Sequence, residues 1–443
     1  MKKVLATILA LVMAIGLCSV SWATESGLPA AENGVIKLTG NATTTALQND
    51  ITYDLNGHTL TYSGPTHVVA EGKTLTFMDS SVTGNTRGGT LVLSGVTGTT
   101  AAINPQKGAT LKVSNIKVTC TGSAFFPQGD AAKVDVTACD VTASVYCVGT
   151  NAGSTDNYKV VITLKNSTFV SNTADGDNCA VMINVPGTLN IDNCTITGDR
   201  QAVLVRAGTA VITNSDIKTT GRFTDAATKY HTGAWQSGNE VPAAALTVGN
   251  YQNGSASAYL AEAKVTVTNT KLTAENGVPA IYTDANDTYK GDLTIGGDST
   301  VVTGEVMKGQ KADKPVIAVT GGTFSSDVSD YTADNAPVAS NNGTYYVGEE
   351  TIQNAANNLS AGQQLKIEKG AVTINGAEYR AGGNATYTKP SSGGYYYYQP
   401  TTDTKTTDTK GSPKTFDAGI ALYVGMALTS AAGVAFVGKK RED

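Results

Sequence analysis

A short alternating phrase recurs along most of the chain, and no other feature of the sequence restricts the fold as strongly. Each copy has two apolar residues at alternate positions, then a turn residue, and then another apolar residue three positions later. Asn or Gly fills the turn position in most copies. The turn residues of the well-preserved copies are Gly57, Asp79, Asn115, Ala138, Asn166, Asn193, Asn214, Asn269 and Gly321, with partial copies around Gly95 and Gly297.

The spacing of these copies predicts a parallel β-helix. Successive turn residues are mostly 16 to 28 residues apart, with one step of 55 residues between Asn214 and Asn269. The alternation predicts a short strand on each side of the turn, and a third apolar segment such as Ala202–Val205 often follows. Three strands per unit suit the coil of a solenoid, because the inward row is buried only when neighbouring coils stack on it. Roughly a dozen coils would stack at the usual strand spacing.

An antiparallel β-sandwich array is the competing interpretation. It would require hairpin turns such as Asn56-Gly57 between paired strands, and most units lack one. We therefore expect an all-β, right-handed parallel β-helix, since irregular coil lengths and the usual hand of parallel connections favour that form. The recurring Asn is expected to adopt the left-handed backbone conformation and to stack its side-chain amides into a ladder.

Composition supports many short strands and argues against several functions. Glycine supplies 48 residues and charged residues only 16% of the chain, a balance that does not suit a helical protein. The net charge of −5, with six arginines, argues against nucleic-acid binding. Because there are three histidines and no CxxC spacing, we expect no metal site, and we expect no cofactor.

Three phrases within the repeats carry a family resemblance: ITYDLNGHTLTYSG (51–64), VTNTKLTAENGVPAIYT (267–283) and VTGGTFSSDVSDY (319–331). They resemble the secreted pectate-lyase-like β-helix proteins of Gram-positive gut bacteria. The similarity covers approximately residues 30–347 and lies in the repeats, not in an active site. The resemblance therefore implies the fold and a location at the cell surface, and it does not imply lyase activity.

The two ends of the sequence indicate export and anchoring. Residues 1–23 have the charged, apolar and small-residue order of a signal peptide, with cleavage expected after Ala23. Residues 418–437 are uncharged and long enough to cross a bilayer once as a helix. The basic residues of the tail 438–443 would then stay on the cytoplasmic side.

A short motif precedes this apolar segment. Ser412, Pro413, Lys414 and Thr415, in the segment 412–417, resemble the cell-wall sorting signal of Gram-positive surface proteins, which sortase cleaves after the threonine. The resemblance implies sortase and peptidoglycan as partners. Phe416 stands where glycine is usual, so simple tethering to the membrane is the alternative to covalent attachment.

The remaining divisions follow from where the repeat ends. The sequence predicts a β-helix over 24–347, a capping or accessory β module over 348–389 and a disordered stalk over 390–411.

Charged residues offer weak candidates for catalysis. Glycoside hydrolysis needs two carboxyl groups at a fixed separation. Asp199, Arg200 and Arg206 place a carboxylate near two arginines and form the best candidate, although we favour a surface ion pair as the interpretation. The acidic pairs Asp175 with Asp177 and Asp284 with Asp287 lie in loops rich in Gly and Asn, which use Asp to form turns. We therefore assign no catalytic residue.

The long excursion from the repeat, 219–263, contains the best candidates for ligand binding. These are Asp225, Tyr230, His231 and Trp235, and Trp235 is the sole tryptophan beyond the signal segment. Loops on rigid scaffolds often carry function, and aromatic faces beside hydrogen-bonding groups suit sugar rings. The alternative is that these aromatic side chains fold back and cover the coil.

Five cysteines follow the signal segment: Cys120, Cys139, Cys147, Cys179 and Cys194. We expect buried free thiols rather than disulfides, because an odd number cannot pair completely. Cys147 and Cys179 are expected to stack inside successive coils.

These observations together predict a non-enzymatic protein of the bacterial cell surface, either an adhesin or a glycan-binding rod. Its expected partners are glycans or other ligands on host or microbial surfaces. The first alternative is a tethered polysaccharide lyase or glycoside hydrolase, and the second is a structural spacer.

Overall fold

The computed structural model describes residues 27–150, 159–172, 178–221, 242–249, 261–285, 289–309 and 315–391. The chain divides into two units, Met1–Ser392 and Gly393–Asp443, and the second lies wholly outside the described residues. The predicted signal peptide, the sorting-like motif and the apolar segment 418–437 also lie outside them. Within the ranges given above, no helix is long and apolar enough to cross a membrane.

The fold is all-β, and most of its strands belong to three parallel sheets. The first sheet contains β1 (Val35–Lys37), β3 (Ile51–Asp54), β6 (Thr74–Met78), β9 (Thr110–Ser114), β12 (Lys133–Thr137), β14 (Val160–Lys165), β17 (Gly187–Asp192), β20 (Gly208–Thr213), β23 (Ala263–Thr268), β26 (Gly291–Gly296) and β29 (Ile317–Val319). The parallel part of the second sheet contains β2 (Ala42–Thr44), β4 (Thr59–Tyr62), β7 (Thr90–Leu93), β10 (Lys117–Cys120), β13 (Asp140–Ala143), β15 (Thr168–Ser171), β18 (Thr195–Gly198), β21 (Asp216–Thr219), β24 (Lys271–Ala274), β27 (Val301–Thr303) and β30 (Gly322–Phe324).

The third sheet is formed by two groups of strands that a single residue connects. The first group is β5 (His67–Val69), β8 (Ala101–Pro105) and β11 (Ser123–Phe125), and the second is β16 (Cys179–Ile183), β19 (Gln201–Val205), β22 (Ala244–Val248), β25 (Ile281–Thr283) and β28 (Val306–Lys308). Val148 bridges the two groups, because it pairs with Phe125 on one side and with Val181 on the other.

Each strand pairs with the corresponding strand of the next circuit of the chain. Leu111 in β9 pairs with Val134 in β12, which in turn pairs with Ile162 in β14. The chain passes from the first sheet to the second and the third before it returns to the first, so each circuit forms one coil. These long parallel sheets are consistent with the β-helix that the repeat predicts. All three side chains of this row are fully buried, because inward rows close the core only by stacking.

The recurring Asn residues form tight turns between the first and second sheets. Asn115, Asn166, Asn193, Asn214 and Asn269 have φ values between 50° and 59°, which confirms the predicted left-handed conformation. The predicted amide ladder is confirmed at one step, where Asn193 Nδ2 donates to Asn166 Oδ1 at 2.8 Å.

At the neighbouring steps, the prediction of an amide ladder is wrong. Asn214 Nδ2 donates to Asp192 Oδ1 instead, at 3.0 Å, and Asn115 Nδ2 donates to the carbonyl of Gly84 at 2.7 Å. The physical reason is local competition. Ala138 has no amide with which to continue the row, and a carboxylate accepts a stronger hydrogen bond than an amide oxygen does.

A second row of hydrogen bonds lies inside three of the same turns, where Ser167, Ser215 and Thr270 directly follow the Asn. Ser215 Oγ donates to the carbonyl of Thr213 at 2.6 Å and accepts the backbone N–H of Cys194 at 3.1 Å. Ser167 accepts the N–H of Cys139 in the same way, at 3.0 Å. The small polar residue therefore satisfies a buried N–H of the preceding coil that has no strand partner.

All five described cysteines are buried thiols outside disulfide bonds, which confirms the prediction. Burial raises the pKa of Cys147 to about 12 and the pKa of Cys139 to about 11. The predicted stacking of Cys147 on Cys179 is wrong. Cys147 points into the main core, whereas Cys179 belongs to a separate cluster on the outward face of the third sheet.

After the last coil the second sheet continues with antiparallel strands. These are β31 (Val338–Asn341), β32 (Thr344–Val347), β33 (Gln364–Lys369) and β36 (Thr386–Thr388), and β32 pairs with β30. Helix α1 (Glu349–Asn358) and the hairpin of β34 (Ala371–Ile374) and β35 (Ala377–Arg380) accompany them, and a short 3-10 helix (Ser329–Tyr331) precedes them. A small core of Ile352, Leu365, Ile367 and Tyr387 holds this segment together. We call residues 338–388 the cap.

Candidate functional site

The third sheet differs from the other two because its central strands are buried on both faces. Strands β16, β19 and β22 are buried along their whole length. Strands of the other sheets instead alternate between buried and exposed residues, as β10 and β20 do. A strand whose two faces are both covered has its outward side chains in contact with other protein groups, so this face is the most enclosed outer surface of the coils.

An apolar row lies on the outward face of the third sheet. Met182 pairs with Leu204, and Leu204 pairs with Thr247. Thr247 pairs with Tyr282, which pairs with Met307 in β28. Met182, Leu204 and Tyr282 belong to a hydrophobic cluster separate from the main core. The outward face therefore carries a strip of large apolar side chains that Thr247 interrupts at one coil.

The same strip extends into earlier coils through two aromatic side chains. Phe126 and Tyr146 belong to this outer cluster, and their ring centroids are 6.0 Å apart. That separation is within the usual range for favourable ring contacts.

A polar row lies beside the apolar strip, at the position that directly follows each strand. Backbone hydrogen bonds show that four residues hold equivalent places in successive coils. Each donates its N–H to the strand of the preceding coil: Arg206 to Ile183 at 2.8 Å, Gly249 to Val205 at 2.8 Å, Asp284 to Val248 at 2.9 Å and Gly309 to Thr283 at 2.7 Å. An arginine and an aspartate thus occupy the same position two coils apart, or roughly 10 Å along the stack.

The two glycines of this row make room for the aspartate. A Cβ atom at Gly309 would collide with the carboxylate of Asp284 and with the hydroxyl of Tyr282. A Cβ atom at Gly249, where φ is +95°, would collide with the backbone carbonyl of Asp284. Glycine is required at both places for a steric reason.

Asp284 is fixed by two hydrogen bonds. The hydroxyl of Tyr282 donates to Asp284 Oδ2 at 3.1 Å, and the backbone N–H of Ala285 donates to Oδ1 at 2.9 Å. Asp284 is 0% exposed and Arg206 is 2% exposed. Removing charged groups from water costs free energy, so charged residues at such positions are candidates for function.

Asn184 extends the polar row toward the earlier coils. It directly follows Ile183, which pairs with Val205, so it is equivalent to Arg206. Thr150 Oγ1 donates to Asn184 Oδ1 at 2.9 Å and accepts the backbone N–H of Asn184 at 2.9 Å. We call Asn184, Arg206, Tyr282 and Asp284 the polar row of the third sheet.

The predicted catalytic trio of Asp199, Arg200 and Arg206 does not form one cluster. Asp199 and Arg200 precede β19 and Arg206 follows it, so the backbones at the two ends are roughly 20 Å apart. Asp199 Oδ1 instead accepts a hydrogen bond from Thr220 Oγ1 at 3.0 Å. The predicted surface position is also wrong, because all three side chains are buried.

The predicted ligand-binding residues Asp225, Tyr230, His231 and Trp235 lie outside the described residues, within 222–241. In the chain, this segment separates β21 of the second sheet from β22 of the third. The other internal segments outside the description also adjoin third-sheet residues in sequence. In the sequence, these segments therefore closely precede or follow residues of the third sheet.

The acidic pairs have mixed outcomes. Asp175, Asp177 and Asp287 lie outside the described residues. The interpretation of Asp284 as a loop residue that only forms a turn is wrong, because it continues the strand ladder and accepts the hydroxyl of Tyr282. Sequence reasoning named Arg206 and Asp284 separately and did not join them into one site, although each directly follows the third strand of its unit.

Within the described part of the chain, no group of three or more His, Cys, Asp or Glu side chains is placed to hold a metal ion. Comparisons of the chain with protein-family models, with curated proteins and with solved structures find no match.

Proposed function

We propose that this protein is a non-enzymatic, surface-displayed β-helix protein that binds glycans along the outward face of its third sheet. The observation that carries the proposal is the buried, hydrogen-bonded outward face of the third sheet, which forms a rigid support for the chain segments that follow its strands in sequence. We propose that the ligand contacts these segments and not the buried side chains themselves. Sugars present both apolar ring faces and hydroxyl groups, so a site that binds them combines aromatic or apolar area with a few fixed hydrogen-bonding groups.

The polar row supplies the hydrogen-bonding groups that hold this support together. Arg206 donates only, Asp284 accepts when ionised, and Asn184 does both. Tyr282 offers an apolar ring together with a hydroxyl, and Asp284 already orients that hydroxyl at 3.1 Å. In sequence, the segment 222–241 with Trp235 and Tyr230 shortly precedes β22 of the third sheet, and we propose that it contributes to the same site.

Binding is favoured over hydrolysis by the arrangement of carboxylates. A glycosidase needs two carboxyl groups about 5 to 9.5 Å apart. Asp284 is the one carboxylate among the residues of the polar row, and Asp199 lies at the opposite ends of the strands. A lyase or hydrolase is the second candidate, since the described residues do not include the inserted segments.

Several further parts of the proposal rest on the sequence. We propose a right-handed β-helix because parallel connections almost always have that hand. We also propose export by the segment 1–23 and anchoring through 418–437, with sortase attachment to peptidoglycan through Thr415. The repeats that resemble the surface β-helix proteins support the same location.

The test is a binding and cleavage assay with the full chain. The protein is incubated with plant, mucosal and microbial glycans, and mass spectrometry detects both retained ligands and shortened products. We expect retention without cleavage, weakened at least about tenfold by Trp235→Ala or Tyr282→Phe. Thr119→Ala, an exposed change on the second sheet, is the matched control. Shortened products would support the enzyme, and retention unaffected by both variants would contradict the assigned surface.

A further inference from the structure

In the cap, the two faces of the second sheet exchange their burial. The face that is buried in the coils becomes exposed, and the opposite face becomes buried. Phe324 of the last coil pairs with Tyr345, and Val347 pairs with Val338, so these residues share the inward face. Val338 and Val347 belong to the main core of the coils. One step farther along the same face, Ser340 pairs with Lys366, and Lys366 pairs with Thr386. The inward face thus changes from apolar to polar where the coils end.

The opposite face of the cap is closed. Leu365 pairs with Tyr387, and both are buried under α1 and the β34–β35 hairpin. The polar face therefore remains as the solvent side of this sheet, and Lys366 and Thr386 are exposed on it.

A polar groove of about 470 Å³ lies on this solvent side. Its lining includes Ser340, Asn342, Gln363, Gln364, Lys366 and Thr386. We call it the cap groove. Its side chains are amides, hydroxyls and a lysine, so the groove offers many hydrogen-bond donors and acceptors.

The cap groove carries no net charge that would select an ion. Lys366 Nζ lies 2.8 Å from Glu368 Oε2, and Glu368 Oε1 also accepts the hydroxyl of Ser340 at 2.6 Å. These contacts neutralise the lysine locally. A charged ligand would therefore meet no unpaired charge of opposite sign in the groove. A neutral ligand with many hydroxyl groups does not require such a charge.

Internal hydrogen bonds position part of the groove. Gln363 Oε1 accepts the backbone N–H of Ser360 at 2.8 Å, which fixes the side chain while its amide nitrogen still has two hydrogens to donate. Gln364 Nε2 donates to Thr388 Oγ1 at 3.2 Å, which leaves the amide oxygen as an acceptor. Asn342, at a turn with φ of 47°, adds a further exposed amide. Donors and acceptors thus alternate across the surface.

We infer that the cap groove binds a neutral oligosaccharide, as a second glycan site separate from the third sheet. The inference deepens the proposed function and rests on it in assigning glycans as the ligand class. Alternating amide donors and acceptors match the hydroxyl groups of neighbouring sugar carbons, and Tyr345, half-buried beside Ser340, offers an aromatic surface at the edge of the groove.

The experiment measures binding of the full chain to neutral hexasaccharides of glucose, mannose and galactose, with hexagalacturonate as the acidic counterpart. The test variant is Asn342→Gly with Gln364→Ala, because glycine accepts the φ of 47° at position 342, and Asn354→Ala on the exposed side of α1 is the matched control. We expect the double variant to weaken binding of at least one neutral hexasaccharide by at least about tenfold, and the control to leave it unchanged. Both changes affect exposed side chains, so the melting temperature should be unaffected.

The outcomes separate this inference from the proposed function. Loss of binding in Tyr282→Phe but not in the cap variant would overturn the cap groove and leave the third sheet as the site. Loss in the cap variant alone would support the groove and contradict the third sheet. Failure to bind any neutral hexasaccharide, or stronger binding of hexagalacturonate, would overturn the groove as a neutral-sugar site. So would a sedimentation change showing that the groove instead holds a second copy of the chain.

Discussion

The backbones of Asp284 and Gly309 occupy equivalent places in neighbouring coils, and the carboxylate of Asp284 fills the space that a side chain at position 309 would need. The polar row therefore depends on residues that are distant in sequence and adjacent in the stack. Asp284 keeps its hydrogen bond to Tyr282 because the next coil contributes no Cβ atom.

Gly309→Ala should destabilise the protein by about 1–3 kcal/mol, because the new methyl group forces the buried Asp284 and Tyr282 to move. Urea unfolding followed by circular dichroism would measure the change in the free energy of unfolding. Gly40→Ala is the control, since a Cβ atom there meets nothing within 4 Å. Equal stability of the two variants would show that Asp284 does not occupy this space.

The repeat made the coils predictable, whereas the polar row depends on contacts between coils. Alternation in a segment such as Leu111 to Val113 identifies an inward row without knowledge of its neighbours. Asp284 is followed by Ala285, Asn286 and Asp287, a composition typical of turns. Its burial follows from Gly249 and Gly309 in the adjacent coils, and no local pattern reveals that these three residues meet.

The cap was harder to recognise for a related reason. The segments around Val338 and Val347 resemble the parallel strands in their spacing of apolar residues, and both valines belong to the main core. Their antiparallel pairing is set by the tight turn at Asn342 and Gly343, where φ is 47° and 79°. Strand direction depends on such a turn and not on the alternation of the strand itself.

Ser215→Ala should cost about 1–3 kcal/mol, because it removes the acceptor of a buried backbone N–H. Ser215 Oγ accepts the N–H of Cys194 at 3.1 Å, and alanine would leave that donor unsatisfied. Ser215→Thr should retain most of the stability, since Thr270 holds the equivalent place in the next coil and accepts the N–H of Ser215 at 3.3 Å.

The control for this change is Ser94→Ala, at an exposed serine of the second-sheet side. It should shift the melting temperature little, because solvent replaces the hydroxyl. A Ser215→Ala protein as stable as Ser94→Ala would show that the inner row of hydrogen bonds does not support the turns.

His67 should make the first coils less stable in mild acid. Burial lowers the pKa of His67 from its usual 6.5, and its Nε2 is buried without a hydrogen-bond partner in the described chain. The unfolded chain therefore binds a proton at a higher pH than the folded chain does. The stability that neutral His67 contributes is present above about pH 6.5 and is lost as the pH falls toward its lower folded pKa.

Melting temperatures between about pH 8 and about pH 5 would measure this effect. His67→Gln should flatten the decline over that interval, whereas His58→Gln, at a half-buried turn position, should retain it. An identical decline in the wild type and in His67→Gln would assign the pH dependence to other groups.

The five buried thiols should react with a water-soluble disulfide reagent only when the coils open. The reagent attacks thiolates, and burial raises the pKa of Cys120, Cys139 and Cys194 to about 11 and that of Cys147 to about 12, so few thiolates exist near neutral pH. The measurement uses the chain with Cys18→Ser, so that only the described cysteines remain. We expect all five to react at once in strong denaturant and none to react rapidly in its absence. Rapid reaction of Cys179 alone would show that the outward face of the third sheet opens while the main core, which holds the other four, stays closed.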